Sequence, residues 1–142
     1  MKRLAASKTP LTMCPLSNLK LGVIKDMKDH PLRTLMEKGL MVTVNSDDPA
    51  YFGGYENENY QAVQAALDLT QDHMRALARN SFEASFLRPS EKQKLIAQLD
   101  EYQRSISMTV GIIPEGLAPG VSSRLHRRAG RNAASWGARR IS

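Results

Sequence analysis

Two adjacent carboxylates, Asp47 and Asp48, are the residues of this sequence best placed to do chemistry. They follow residues 42–44, a β-branched run that predicts a strand, and they precede Pro49. Because side chains alternate faces along a strand, the two acids should point in different directions and could have different roles. Pro49 disfavours the helical region for Asp48 and should keep the chain extended there. A plain turn at Asp-Asp-Pro is the alternative that this stretch leaves open.

The elements around this pair predict one βαβ unit. Residues 11–14 form a short apolar run typical of a buried parallel strand, and Pro15 ends it. A helix is predicted to open at residues 29–31, to carry apolar residues on one face and to stop at Gly39. Strand, helix and strand within about 35 residues predict two parallel strands joined by a right-handed crossover.

Three helical segments are predicted after the glycine pair that follows the second strand. The first covers residues 60–69, and the second has Thr70 as its N-cap and an apolar periodicity that continues through Phe86. Ser90 and Gln93 form a capping box for the third. Its buried side is predicted to contain Leu95, Ile96, Leu99 and Tyr102.

Four segments resemble the adenosine/adenine deaminase family of zinc-dependent purine aminohydrolases. Residues 45–49, Asn-Ser-Asp-Asp-Pro, resemble the family's strand-eight signature, and residues 14–18, Cys-Pro-Leu-Ser-Asn, resemble its strand-seven signature. Residues 30–32 resemble the start of the helix between those strands, and residues 50–55 resemble the adenine deaminase branch more than the adenosine deaminases. The similarity extends over about residues 1–106, in the family's order and spacing.

The resemblance implies an α/β fold: a C-terminal fragment of a (β/α)8 TIM barrel that contains the last two strands and the C-terminal helices. An intact barrel of this kind has roughly 250 residues, whereas this chain has 142. We therefore interpret residues 1–107 as the C-terminal portion of the deaminase barrel. Residues 108–142 are rich in Gly, Pro, Ser and Arg, which predicts a disordered tail without helices or strands.

The resemblance also implies a function, the hydrolytic deamination of adenine to hypoxanthine in purine salvage, with zinc as the cofactor. A bound metal ion lowers the pKa of a water molecule and so supplies the nucleophile. Asp47 matches the family's carboxylate zinc ligand, and Asp48 matches the residue that hydrogen-bonds a ring nitrogen of the purine base. Ser17 and Asn18 lie in the loop predicted after the first strand, on the catalytic face of a barrel. They are candidate substrate-side hydrogen-bonding residues, although a helix-cap or turn role is equally open.

The rest of the family's machinery does not map onto this sequence. The resemblance requires a His-x-His pair, two further histidines and a glutamate that shuttles protons, so the general acid and base are expected upstream of this chain. We interpret His30 as a helix-cap or loop residue, His73 as a first-turn helix residue and His126 as part of the basic tail. No catalytic residue is assigned here, and the chain alone is predicted to be inactive. Cys14 is interpreted as a buried core residue.

Composition limits the class of protein and its surroundings. The apolar content of 42% and the charged content of 24% suit a globular domain, and a single cysteine excludes an internal disulfide. No apolar run is long enough to span a membrane, and the N-terminus lacks the apolar core of a signal peptide. The sequence therefore predicts a cytoplasmic protein without a membrane partner, with the nucleus left open as a second location.

The net charge of +6 is concentrated in the tail. Residues 1–107 hold 14 basic and 13 acidic side chains, a difference of +1, whereas residues 108–142 hold six arginines and one acid, a difference of +5. Arginines at this density could bind nucleic acid, but a lone tryptophan offers little base stacking, so we interpret the charge as incidental. The arginines concerned are Arg124, Arg127, Arg128, Arg131, Arg139 and Arg140.

Alternatives to an adenine deaminase fragment stay open. The chain could be an adenosine deaminase fragment, because the choice between adenine and adenosine depends on pocket residues that are mostly absent from it. It could also be a non-enzymatic interaction module with a basic, nucleic-acid-binding tail. A barrel fragment is expected to expose a sheet edge and to associate through that edge.

Overall fold

The computed structural model of this protein describes the backbone of residues 1–112 and the side chains of residues 1–106. Residues Met1–Gln103 form one compact unit. Its architecture is mixed α/β, rich in helix, with a small sheet. Strands β1 (Leu11–Met13) and β2 (Val42–Val44) pair in parallel, so the predicted parallel pairing is confirmed.

Seven α-helices are found in the described residues, and a 3₁₀ turn over Met27–Asp29 precedes the third. They are α1 (Lys2–Ser7), α2 (Pro15–Lys20), α3 (Leu32–Glu37), α4 (Pro49–Phe52), α5 (Glu56–Leu67), α6 (Gln71–Ala84) and α7 (Pro89–Ile112).

The core lies where α3, α5 and α6 pack against β2. All three β2 residues are buried, as expected for a parallel strand covered by helices. Four large apolar side chains are completely buried at this junction, and burying each stabilises the fold by about 1.5–3 kcal/mol relative to leaving it exposed. They are Leu32, Val42, Val63 and Leu77.

Helix α6 also contacts the edge of β2. The Leu11 N–H donates to the carbonyl oxygen of Met41 at 2.8 Å. Since backbone groups alternate sides along a parallel strand, the carbonyl of Val42 points away from β1. The amide Nδ2 of Asn80, on α6, donates to that carbonyl at 2.9 Å. This end of the β2 edge is therefore partly covered by α6.

The structure corrects two predictions about the strand ends. Ser17 and Asn18 lie in α2 and not in a loop, because Pro15 occupies the first helical turn, where its missing N–H costs nothing. The chain is extended at Asp48 as predicted, but Pro49 starts the short helix α4 directly after it. A helix therefore follows each strand, separated by one residue from β1 and by four residues from β2.

Helix boundaries and the burial of one side chain also differ from the predictions. Helix α3 begins at Leu32 with Pro31 as its N-cap, because His30 is extended and separates the helix from the 3₁₀ turn. Helix α6 ends at Ala84, so Phe86 is fully exposed instead of extending the apolar stripe. Tyr102 is also exposed, at 66%, instead of lying on the buried side.

Helix α7 differs from its prediction at both ends. It starts at Pro89, and the expected Ser90 capping box is replaced by an earlier bond from Arg88 N–H to the Glu91 carboxylate at 3.0 Å. It then runs to Ile112, five residues into the segment predicted to lack helix. A glycine inside a helix costs only about 1 kcal/mol relative to alanine, so Gly111 does not stop it. The remaining tail, with His126 and its arginines, lies outside the described residues.

Candidate functional site

Asp47 and Ser17 meet at the carboxyl ends of the two strands. The Ser17 hydroxyl, which is buried, donates to Oδ2 of Asp47 at 2.8 Å. The Asp47 side chain is otherwise exposed at the end of β2. The contact joins residues 30 positions apart, and it fixes one carboxylate oxygen while the side chain stays open to solvent.

The backbone of Asp47 adopts an uncommon conformation. Its φ of +62° lies in the left-handed region, which most residues avoid because of a clash between Cβ and the following carbonyl oxygen. Asp and Asn tolerate this region better than other non-glycine residues. The turn sends Asp47 and Asp48 to different partners.

Asp48 caps helix α4. Its Oδ1 accepts from the Tyr51 N–H at 3.1 Å, and its own backbone is extended. The side chain is exposed. A carboxylate at an N-cap is held in one orientation by the helix it starts, so Asp48 is preorganised although it lies at the surface.

Asn18 has a different partner, the ring of His30. The distance between Asn18 Oδ1 and His30 Nε2 is 3.1 Å, and the Leu32 N–H donates to His30 Nδ1 at 3.3 Å. These two bonds together require a neutral ring with its proton on Nε2. His30 is buried, and this burial lowers its pKa from the usual value. The interpretation of His30 as a helix-cap or loop residue is confirmed, and Ser17 and Asn18 have separate partners.

We expect the stability of this protein to fall as the pH drops below about 6.5, in part because of His30. The unfolded chain takes up a proton near the ordinary histidine pKa of 6.5, whereas the folded chain, with its lowered pKa, does not. Acid therefore favours unfolding over that window. The free energy of unfolding is measured in urea at pH 7.5 and at pH 5.5. It should fall less between these pH values in His30→Asn, whose side chain cannot titrate, than in the unmodified chain. An equal loss in both would contradict this assignment.

Cys14 lies beside the pair, at the N-cap of α2, and is half-buried, so the prediction of a buried core position is wrong. Burial raises the pKa of its thiol, and the negative charge of Asp47 raises it further. A neutral thiol is a poor nucleophile. The other histidine within the described residues, His73, lies in the first turn of α6, as predicted. Its N–H donates to the Thr70 hydroxyl at 3.3 Å.

Asn59 is a site residue that the sequence analysis did not identify. It is completely buried on α5 and accepts from the Leu16 N–H at 3.0 Å through Oδ1. Its Nδ2 donates to the carbonyl oxygens of Tyr55, at 2.9 Å, and Gly54, at 3.4 Å. A signal was present, because Asn59 precedes Val63 by four residues and so shares the apolar face of the helix.

The described residues do not by themselves form a metal centre. Among them, no three His, Cys, Asp or Glu side chains come together, whereas a catalytic zinc ion takes three protein ligands. Asp47 offers one suitable carboxylate oxygen. No helix in the described part of the chain is long and apolar enough to cross a membrane.

Comparison with known proteins gives consistent matches over the same region. A family model described as "Adenosine deaminase" matches residues 1–102. An adenine deaminase from Hahella chejuensis is 59% identical over 102 residues, 72% of this chain and 30% of that protein. One from Acinetobacter baylyi is 57% identical over 101 residues, 71% of this chain and 30% of that protein. The chain thus spans about 30% of the length of these curated relatives.

Solved structures of deaminases match the same part of this chain. The crystal structure of an adenine deaminase from Arthrobacter aurescens matches with a TM-score of 0.70 and 41% identity, covering 72% of this chain and 32% of that chain. An N6-methyl-AMP deaminase from Arabidopsis thaliana, 23% identical, matches with a TM-score of 0.66 over 73% of this chain and 31% of that one, and shares the fold.

Proposed function

We propose, from the premise that this chain belongs to the adenosine deaminase family, that it forms the C-terminal part of an adenine deaminase. Such an enzyme hydrolyses adenine to hypoxanthine and ammonia in purine salvage. In this proposal β1 and β2 are the last two strands of a (β/α)8 barrel, and α5 to α7 are its C-terminal helices. The relatives named adenine deaminase, at 50–59% identity, support adenine as the substrate.

The observation that carries the proposal is the Ser17–Asp47 contact. Barrel enzymes place their active sites at the carboxyl ends of the strands, and each strand contributes residues there. Here the residue that matches a zinc ligand lies at that end of β2. A buried hydroxyl following β1 holds one of its oxygens at 2.8 Å.

In this proposal the two acids have separate roles. Asp47 supplies one carboxylate oxygen to a zinc ion, whose other ligands are histidines that this sequence lacks. When bound, the metal supplies a water molecule with a lowered pKa as the nucleophile. Asp48, held by its bond to the Tyr51 N–H, accepts a hydrogen bond from a ring N–H of the purine. Its cap geometry fixes the carboxylate before the base arrives, so little side-chain entropy is lost on binding.

We also propose that the isolated chain is inactive and associates through the outer edge of β1. Thr12, in the middle of β1, is exposed, whereas part of the β2 edge is covered by Asn80. An unpaired strand edge is a template for a further strand. The partner in this proposal is the remaining two-thirds of a deaminase barrel.

A chimera tests this function. Residues 1–102 replace the matching segment of the Hahella chejuensis adenine deaminase. The zinc content of the chimera and its rate of hypoxanthine formation from adenine are measured. The deamination of adenosine is measured beside them, as a second substrate. We expect zinc-dependent activity that favours adenine. Activity on adenosine alone would favour the adenosine deaminase alternative, and a folded, zinc-loaded but inactive chimera would contradict the proposal.

Asp48→Asn in this chimera tests the second acid. Asn is as good an N-cap as Asp, so α4 should keep its start while the carboxylate is lost. We expect KM for adenine to rise by roughly tenfold or more, because the variant loses one hydrogen bond to a charged group, which contributes about 1.5–3 kcal/mol. An unchanged KM and kcat would remove Asp48 from the substrate site.

A further inference from the structure

Asn59 joins the two segments that follow the strands. Through Oδ1 it holds the N–H of Leu16, in the first turn of α2. Through Nδ2 it holds the carbonyl oxygens of Tyr55 and Gly54, just after α4. Its amide thus uses both donors and an acceptor in a completely buried position.

These two segments approach so closely that a side chain at Gly54 would force its neighbours to move. A Cβ there would collide with the Leu16 side chain and lie 3.0 Å from Cβ of Glu58. Buried polar groups without partners cost about 1–3 kcal/mol each. Asn59 is therefore the hydrogen-bonded link at a tightly packed junction.

This junction connects the segments that hold the two carboxylates, so that hydrogen bonds and chain connectivity form a closed path through both. Leu16 adjoins Ser17, which donates to Asp47. Asp48 follows Asp47 and caps α4. Gly54 lies just beyond that helix, so the chain returns to Asn59. A shift at Asn59 therefore reaches both acids, although it touches neither.

We propose that Asn59 is a positioning residue for the deaminase site. It sets the position of Ser17 against Asp47 and that of α4 with Asp48. This inference extends the proposed function, but its structural core, the coupling of the two segments, applies to this chain whether or not it takes part in deamination.

The test compares Asn59→Leu with a matched control, Asn80→Leu. Asn80 also donates from Nδ2 to a backbone carbonyl, at 2.9 Å, but it binds Val42 at the start of β2, five residues before Asp47. Amide hydrogen exchange is measured by NMR on the full chain. The probes are the N–H groups of Asn18 and Tyr51, neither of which bonds Asn59.

We expect exchange at both probes to rise about tenfold or more in Asn59→Leu and to stay unchanged in Asn80→Leu. Equal changes in the two variants, or no change in Asn59→Leu, would overturn the coupling. If Asn59→Leu does not fold, Asn59→Ala replaces it. That variant removes all three hydrogen bonds without adding volume or charge, so exchange should rise at both probes; protection equal to that of the unmodified chain at both probes would overturn the coupling.

A second measurement uses the cobalt-substituted chimera. The visible spectrum of bound cobalt reports ligand geometry, and loss of groups that orient metal ligands typically costs 10- to 100-fold in affinity or activity. We expect Asn59→Leu to shift the spectrum and lower kcat/KM by roughly 10- to 100-fold, with Asn80→Leu near the parent value. If the chimera is active and Asn59→Leu changes neither its spectrum nor its kcat/KM, the positioning role alone is overturned. If the parent chimera is inactive, the proposed function is contradicted. The exchange measurement on the full chain then decides the coupling by itself.

Discussion

Replacing Asp47 with Asn is expected to abolish adenine deamination by the chimera while the fold stays as stable as before. A neutral amide is a far weaker metal ligand than a carboxylate. Loss of several kcal/mol of metal-based transition-state stabilisation corresponds to a rate reduction of roughly 10³-fold or more. Stability should change by no more than about 1 kcal/mol, because Asn tolerates the left-handed conformation of this residue and can still accept from Ser17.

Three measurements separate these effects: the rate of hypoxanthine formation, the zinc content and the free energy of unfolding in urea. Asp72→Asn is the matched control, since it removes a surface carboxylate of α6 that pairs with Arg75 at 3.2 Å. It should leave all three unchanged. If Asp47→Asn keeps more than a tenth of the parent rate, Asp47 is not a metal ligand.

Leu77→Ala is expected to cause the largest loss of stability among single core substitutions in α6. Leu77 is completely buried where α6 packs against β2. Truncating a buried leucine to alanine removes its transfer free energy and leaves a cavity, at a cost of about 2–5 kcal/mol. A domain of this size has only about 5–15 kcal/mol in total, so the variant should lose a large share of its free energy of unfolding.

Urea unfolding of the full chain, followed by circular dichroism, gives this free energy. Leu21→Ala is the control, because Leu21 is 61% exposed and surface substitutions usually change stability by less than about 0.5 kcal/mol. A loss below about 1 kcal/mol for Leu77→Ala would mean that the helix does not pack on the strand as described.

The sequence predicted correctly those elements that depend on residues close together in the chain. The β-branched run at 42–44 forms a strand, and Thr70 caps its helix because its hydroxyl accepts from the N–H of His73, three residues along the chain. Phe86 shows the limit of periodicity, since it has the right spacing for the apolar stripe but follows the end of α6 and is exposed. Where a helix ends depends on packing that spacing does not encode.

The sequence predicted which two acidic residues belong to the site, but not how the side chains around them are arranged. Asp47 and Ser17 were both named as candidates, yet their contact spans 30 residues and depends on the left-handed turn at Asp47. No propensity predicts that turn. Asn59 was missed for a related reason, because its partners are backbone groups of two other segments, which carry no side-chain signal in the sequence.

The left-handed backbone of Asp47 also has a genetic consequence. Besides Asp, that conformation suits Asn and Gly, and both are one base change away from either aspartate codon. A gene for this chain can thus lose the carboxylate by a single transition without losing its folded product. Screens that score expression, solubility or thermal stability would pass such alleles as normal. Under the proposed function, only an assay of metal binding or deamination by the assembled barrel would distinguish them.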